Sequence, residues 1–156
     1  MIKAALFDLD GVVFDTESQY SVFWGMIGKE YHPEIPDFAQ IIKGQTLVQI
    51  YDKYFSDDKI FASKVDFCSV KDEQAKITAR LDEFEQNMSY NYIAGFEDFV
   101  KDLRNNGIKC AVVTSSNIPK MLNVYQQRPE FKDYFDRVLT SEDFAKSKPD
   151  PDCYLK

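Results

Sequence analysis

Two aspartates near the start of the chain, Asp8 and Asp10, are spaced so that both carboxylates can serve one chemical event. They follow an apolar run at residues 2–7 that Lys3 alone interrupts. Side chains two positions apart in an extended segment point to the same side, so we expect both carboxylates to face one place. Adjacent carboxylates repel each other, and such a pair needs a cation or a shared proton. The spacing therefore favours a site that holds one or the other.

The element that positions these carboxylates is the apolar run at residues 2–7, which has the pattern of a strand buried on both faces of a parallel sheet. Open α/β sheets bind ligands at the carboxyl ends of their strands, which is where Asp8 and Asp10 fall. Gly11 then permits a sharp turn because it has no Cβ. A plain strand followed by an acidic turn would use the same residue types, so the rest of the chain has to decide.

Composition limits the class of protein. The 156 residues suffice for one domain or for one domain with an insertion, and 44% of them are hydrophobic, enough for a core. A net charge of −7 argues against nucleic-acid and membrane partners. The start of the chain does not resemble a signal peptide, and no apolar stretch is long enough to cross a bilayer. Three widely spaced cysteines fit neither a disulfide framework nor a zinc site, so we expect a cytoplasmic protein.

The segment from residue 16 to residue 90 has the apolar spacing of helices. Apolar residues recur three or four positions apart, for example at Tyr20, Phe23, Trp24 and Ile27. The spacing predicts helices over residues 17–31, 38–42 and 46–55, and from the turn at 56–58 to residue 88. A block of this length exceeds the connection that two neighbouring parallel strands require.

Alternation of helix and strand resumes after residue 90. The pattern predicts a helix over 95–105, a buried strand over 108–113, a helix over 118–127 and a strand over 135–139. We therefore expect the α/β class, with a Rossmann-like parallel sheet and an inserted all-helical cap domain. The predicted domains are an incomplete α/β core, residues 1–15 and 91–156, and a helical cap, residues 16–90.

Four stretches resemble, in order, the haloacid dehalogenase superfamily of phosphohydrolases. The nearest subfamily has a small helical cap and includes beta-phosphoglucomutase and the phosphoglycolate phosphatases. The four stretches are Asp8–Val12 after the first strand, Val112–Ser115 at the end of the second, Lys148 within residues 147–151, and Lys43–Gly44 at the place of the substrate loop.

The resemblance implies a role for each motif residue. Asp8 is the nucleophile that forms an aspartyl-phosphate, and Mg²⁺ bound by Asp8 offsets the repulsion between two anions. Asp10 binds the same metal through its backbone carbonyl, while its side chain donates and then accepts a proton. Thr114 donates its hydroxyl to the phosphoryl group, and Lys148 neutralises developing charge. Further contacts with phosphate or substrate are assigned to Gly11, Ser115, Ser116, Lys43 and Gly44.

Each motif has a plainer interpretation when it stands alone. Residues 114–117 also suit a strand end followed by a helix cap, and Lys148 also suits an exposed loop. The Lys43–Gly44 pair also suits the end of a short helix. The order of residues 114–117 and Lys148 along the chain, after the Asp8/Asp10 motif, favours a shared site, whereas both interpretations of Lys43–Gly44 stay open.

The sequence departs from the family in two ways. Tyr20 and Leu47 stand where beta-phosphoglucomutase has a His and an Arg that handle the sugar phosphate. Their absence favours hydrolysis over phosphate transfer. The family's fourth motif, a later strand ending in acidic residues, has no counterpart. We therefore expect either a fragment of a longer protein or a degenerate member, with weakened Mg²⁺ binding.

These expectations combine into a Mg²⁺-dependent, monomeric, cytoplasmic phosphatase that acts on a small phosphorylated metabolite. A beta-phosphoglucomutase-like phosphotransferase is the first alternative. A non-catalytic binding module with the same fold is the second.

Overall fold

The structure is a computed structural model that describes residues 2–156, and the chain separates in it into two compact units. An α/β unit runs to Glu17 and resumes from Met88 to Lys156, while a helical unit comprises Ser18–Asn87. The predicted limits at residues 16 and 90 lie within three residues of these boundaries. The role of the helical unit as a cap stays a prediction.

The α/β class and the parallel sheet that the sequence predicted are confirmed. Three parallel strands lie in the order β1-β2-β3, with Phe7 opposite Val112 and Val113 opposite Leu139. The strands and α-helices are, in chain order, β1 Ala4–Phe7, α1 Glu17–Tyr31, α2 Phe38–Ile41, α3 Leu47–Tyr54, α4 Val70–Asn87, α5 Phe96–Asn105, β2 Lys109–Val113, α6 Ile118–Gln127 and β3 Arg137–Leu139. Short 3₁₀ turns lie at Asp58–Phe61, Pro129–Tyr134, Ser141–Asp143 and Pro151–Tyr154.

Strand β1 is covered on one face only, so the prediction of a strand buried on both faces was wrong. Phe7 is buried and packs edge-on against the rings of Phe96 and Phe135, each with its centroid 5.8 Å away. Leu6 points to the opposite face and is 52% exposed. An apolar run reports that a strand is hydrophobic but does not report how many layers pack on it.

The helical prediction between residues 58 and 69 was also wrong. The chain makes a 3₁₀ turn there and an irregular stretch before α4 begins at Val70. Phe61 is fully buried and stacks on Phe67 with ring planes 10° apart, whereas Val65 between them is 101% exposed. A helix would separate two residues six positions apart along its axis, so their rings could not stack. Residues 61–67 therefore form a loop.

The helical unit has its own hydrophobic core. Gly28 on α1 allows the close approach of α2, where Phe38 is buried. Within residues 2–156, no helix combines the length and the apolar character that a membrane span requires. The core residues of this unit are Phe23, Trp24, Ile27, Tyr31, Phe38, Ile42, Ile50, Tyr54, Phe55, Phe61, Ile77 and Leu81.

The two chain segments that flank the helical unit are hydrogen-bonded to each other inside the α/β unit. The amide of Asp15 donates to the carbonyl of Asn91, and the amide of Ile93 donates to that of Val13, each over 2.9 Å. Phe14 and Tyr92 form an antiparallel bridge, and their rings stack with centroids 4.9 Å apart. The insertion therefore leaves and re-enters the α/β unit at one place.

We predict opposite effects for two glycine substitutions on α1. Gly28→Ala should lower the free energy of unfolding of the helical unit by about 1–3 kcal/mol, because its Cβ would lie 2.6 Å from Cβ of Phe38. Gly25→Ala is the matched control, because its Cβ meets no atom within 4 Å, and it should raise that free energy by about 0.5–1 kcal/mol. Urea unfolding followed by circular dichroism measures both. A Gly28→Ala variant as stable as Gly25→Ala would contradict the packing of α1 on α2.

Candidate active site

Asp8 lies directly after β1 and contacts the predicted motif lysine. The Nζ atom of Lys148 is 2.9 Å from Oδ1 of Asp8 and donates as well to the carbonyl of Val113, the last residue of β2, over 2.8 Å. The same Asp8 oxygen accepts from the amide of Leu9 over 2.8 Å. The structure therefore brings Asp8 and Lys148 together at the carboxyl ends of β1 and β2, while 47% of the Asp8 side chain stays exposed.

A loop held by two aspartates positions Lys148. The carboxylate of Asp152 accepts from the amides of Ala145 and Lys146 over 2.8 and 3.3 Å, and these hydrogen bonds hold the pKa of Asp152 below its usual value. The carboxylate of Asp150 in turn accepts from the amide of Asp152 over 3.0 Å. Lys148 thus lies in a loop whose backbone is hydrogen-bonded on both sides of it.

Asp10 is held by three donors, and the strongest of them was not predicted. The Nζ atom of Lys120 is 2.7 and 2.6 Å from the two carboxylate oxygens, and the Lys120 side chain is only 4% exposed. The hydroxyl of Thr16 donates to Oδ1 over 2.6 Å, and that of Ser116 donates to Oδ2 over 3.3 Å. The predicted Ser116 therefore lies in the site, in contact with Asp10.

A signal for Lys120 was present in the sequence. It lies in the first turn of α6, where Asn117 is the N-cap and its side chain accepts from the Lys120 amide over 3.0 Å. Cations are disfavoured at a helix N-terminus because the macrodipole is positive there. A lysine in the first turn that follows β2 is therefore unusual, but the sequence alone does not tell which residue it contacts.

Thr114 and Ser115 lie where β2 ends. The Thr114 side chain is buried, its hydroxyl oxygen accepts from the amide of Ser116 over 3.0 Å, and its amide donates to the carbonyl of Leu139 on β3. Ser115 is exposed. These contacts agree with the plainer interpretation of a strand end followed by a helix cap, and the phosphate-binding roles of both residues stay predictions.

The glycine after the aspartates adopts the turn that was expected. Gly11 has a φ of +73°, in the left-handed region, and its amide donates to the carbonyl of Phe14 over 2.9 Å. An added Cβ would lie 3.0 Å from the side chain of Glu17. The turn therefore requires a glycine, whereas a phosphate contact from Gly11 stays a prediction.

Lys43 and Gly44 belong to the helical unit, between α2 and α3. Gly44 has a φ of +78°, which suits the end of α2, and Thr46 and Gln49 form a capping box that begins α3. The predicted substrate contacts of Lys43 and Gly44 stay predictions.

The donor set fits a metal that is shared with a ligand rather than one held by a protein cage. Within residues 2–156, no cluster of three or more His, Cys, Asp or Glu side chains is suited to a metal ion. The Asp10 carboxylate is already engaged by Lys120, whereas Asp8 presents a half-exposed carboxylate. Proteins hold Mg²⁺ through one or two carboxylates together with phosphate and water oxygens. The half-exposed carboxylate of Asp8 fits that role, and the backbone carbonyl of Asp10 stays a predicted second ligand.

The carboxylate of Glu142 stabilises the start of α6. Oε1 of Glu142 accepts from the amide of Ile118 over 3.0 Å. Burial raises the pKa of Glu142, but the hydrogen bonds from Ile118 and from the hydroxyls of Thr140 and Ser141 outweigh it, and the net pKa lies below the usual value of 4.5. Glu142 thereby helps to fix the helix that carries Lys120.

Comparisons with known proteins match this chain to one family and to several relatives. The model of the haloacid dehalogenase-like hydrolase family matches residues 2–156. A protein of Bacillus subtilis named beta-phosphoglucomutase is 26% identical over 162 residues, with 99% of this chain and 67% of the relative covered. The phosphorylated carbohydrates phosphatase of Thermotoga maritima is 23% identical over 158 residues, with 99% and 68% covered.

Solved structures support the fold. The crystal structure of a HAD hydrolase, family IA, variant 3, from Entamoeba histolytica superposes with a TM-score of 0.73 at 19% identity. The match covers 99% of this chain and 68% of that one. The chain thus spans about two thirds of the length of these relatives.

We predict a pH-dependent effect of Glu142→Gln. Because folding lowers the Glu142 pKa below 4.5, the carboxylate contributes stability above that pH, and the contribution is lost as the pH falls through the lowered value. The variant should therefore melt below the wild type at pH 7, and the two should converge well below pH 4.5. Thermal unfolding between these limits measures the difference. Asp133→Asn, at an exposed position of the same unit, is the control, and a constant gap at every pH would contradict the assignment.

Proposed function

Because the chain belongs to the haloacid dehalogenase-like hydrolase family and is therefore an enzyme of the phosphohydrolase type, we propose that it hydrolyses small phosphorylated metabolites. The observation that carries the proposal is the contact of Asp8 with Lys148, next to Asp10, at the strand ends where α/β sheets bind ligands. The relatives named beta-phosphoglucomutase and phosphorylated carbohydrates phosphatase support phosphorylated sugars as the substrate class.

In the proposed reaction, Asp8 is the nucleophile. One of its carboxylate oxygens attacks phosphorus, a bond from that oxygen to phosphorus forms, and the bond from phosphorus to the leaving oxygen breaks. Asp10 gives a proton to the leaving oxygen. In the second half, Asp10 takes a proton from water, the water oxygen attacks the aspartyl-phosphate, and inorganic phosphate leaves as Asp8 is restored.

The other residues of the site stabilise charge in this scheme. Lys148, whose Nζ already lies 2.9 Å from Asp8, balances the negative charge that builds up between nucleophile and phosphoryl group. The hydroxyl of Thr114 and the amide of Ser115 donate to phosphoryl oxygens, next to the N-terminus of α6. Mg²⁺, held by Asp8 and the carbonyl of Asp10, would supply the positive charge that screens one anion from the other.

Hydrolysis is favoured over phosphate transfer by the residues at two positions of the helical unit. Tyr20 stands where beta-phosphoglucomutase has its His, and the Tyr20 hydroxyl donates to the carboxylate of Glu85 over 2.7 Å. Leu47 begins α3 where that enzyme has its Arg. An apolar side chain and a committed hydroxyl are poor substitutes for groups that must retain and return a phosphate.

The setting that we propose is a monomer in the cytoplasm, without nucleic-acid or membrane partners. The net charge of −7 supports the absence of a polyanion as partner. Cys68, Cys110 and Cys153 are free thiols, which suits a reducing compartment.

We predict that the chain releases phosphate from p-nitrophenyl phosphate only with Mg²⁺, and that Asp8→Asn lowers kcat by at least about 10³-fold because it removes the nucleophile. Asp136→Asn is the control, since Asp136 also pairs with a lysine but lies before β3, at the other end of the sheet. Its kcat should stay within about threefold of the wild type.

Two further measurements separate the alternatives. Interconversion of hexose 1- and 6-phosphates faster than phosphate release would replace the phosphatase by a phosphotransferase. Beryllofluoride with Mg²⁺ mimics an aspartyl-phosphate and should raise the melting temperature of the wild type but not of Asp8→Asn. An inactive wild type that beryllofluoride does not stabilise would support a binding module instead.

A further inference from the structure

Lys120 is a buried lysine for which the family resemblance assigns no role. Its Nζ atom contacts both carboxylate oxygens of Asp10, at 2.7 and 2.6 Å. A buried ammonium group is costly unless it is paired and hydrogen-bonded. Contact with both oxygens of one carboxylate meets that requirement. It also restricts rotation of the Asp10 carboxylate about the bond between Cβ and Cγ.

The backbone of Lys120 is as firmly placed as its side chain. Asn117 caps α6 by accepting from the Lys120 amide, and the amide of Met121 donates to the carbonyl of Asn117 over 3.1 Å. The first turn of a helix is an unfavourable place for a cation. The position is therefore explained by what Lys120 contacts rather than by what α6 requires.

The donors to Asp10 come from separate parts of the chain. Thr16 approaches from the segment that follows the aspartates, whereas Ser116 and Lys120 approach from the link after β2 and from α6. Asp8 has a different lysine, Lys148, as its partner. Lys120 therefore contacts the carboxylate of Asp10, whereas Lys148 contacts that of Asp8.

We infer that Lys120 is a positioning residue that holds the Asp10 carboxylate in the orientation needed for proton transfer with the leaving oxygen. The inference rests on the proposed function, because proton transfer by Asp10 is part of that proposal. A catalytic group that is free to turn loses rate even when its chemistry is unchanged.

Two substrates that differ in their leaving group test the inference. Phenolate leaves less readily than p-nitrophenolate, so phenyl phosphate depends more on the proton from Asp10. With Mg²⁺ present, Lys120→Met should lower kcat/KM for phenyl phosphate by at least about tenfold and that for p-nitrophenyl phosphate much less. Asp10→Asn should show the same ranking, and the double variant should lose no more than Asp10→Asn alone.

Lys109→Met is the matched control. Lys109 also pairs with an aspartate, since its Nζ lies 3.2 Å from Oδ1 of Asp136, but it is exposed and begins β2 at the opposite end of the sheet. Its kcat/KM should equal that of the wild type for both substrates. If Lys120→Met does not fold, Lys120→Gln keeps a donor toward Asp10 and should show the same ranking with a smaller loss.

Several outcomes would overturn the inference while leaving the phosphatase in place. They are equal losses on both substrates, losses that multiply with those of Asp10→Asn, and a gain in rate on removal of the lysine. A wild type that hydrolyses neither substrate would overturn the proposed function, and this inference with it. The activity of the wild type therefore separates the two failures.

Discussion

The carboxylates of Asp8 and Asp10 repel each other at the end of one strand, and the α/β unit supplies lysines that offset this repulsion. Asp8 and Asp10 follow β1 two positions apart, and each has its own lysine, Lys148 for the first and Lys120 for the second. Because parallel strands present their carboxyl ends at the same edge of a sheet, the segments after β2 and β3 can deliver these cations to one place. The two lysines offset negative charge beside the place where we propose that an anionic phosphate group binds.

The strand and helix pattern could be predicted from the sequence wherever one physical signal dominated. Helices α1, α5 and α6 begin and end within one residue of their expected limits, because their apolar spacing is regular and, for α6, Asn117 supplies an N-cap. The contact of Asp8 with Lys148 follows the order of the motifs along the chain. That contact also requires the sheet to form, and the register of the sheet depends on pairing between residues that are far apart in the sequence.

What could not be predicted depends on contacts between distant residues. Phe99 lies three positions after the buried Phe96 on α5 and is nevertheless 55% exposed, since helical spacing does not tell which side of a wide apolar stripe meets the sheet. The exposure of Leu6 on β1 could not be predicted either, because an apolar run does not report how many layers pack on a strand. The contact of Lys120 with Asp10 could not be predicted, because a lysine on an amphipathic helix is usually solvated and Asp10 lies far earlier in the chain.

The antiparallel pairing of residues 13–15 with residues 91–93 makes the helical insertion modular. Its two ends are already joined by hydrogen bonds, so excising residues 18–87 and bridging the gap with a short turn would add little loop-closure entropy to the folding of the sheet. Replacing this insertion by a different one would likewise add little loop-closure entropy. Such an architecture lets the inserted segment change in sequence or length while the aspartate-bearing strand is left untouched.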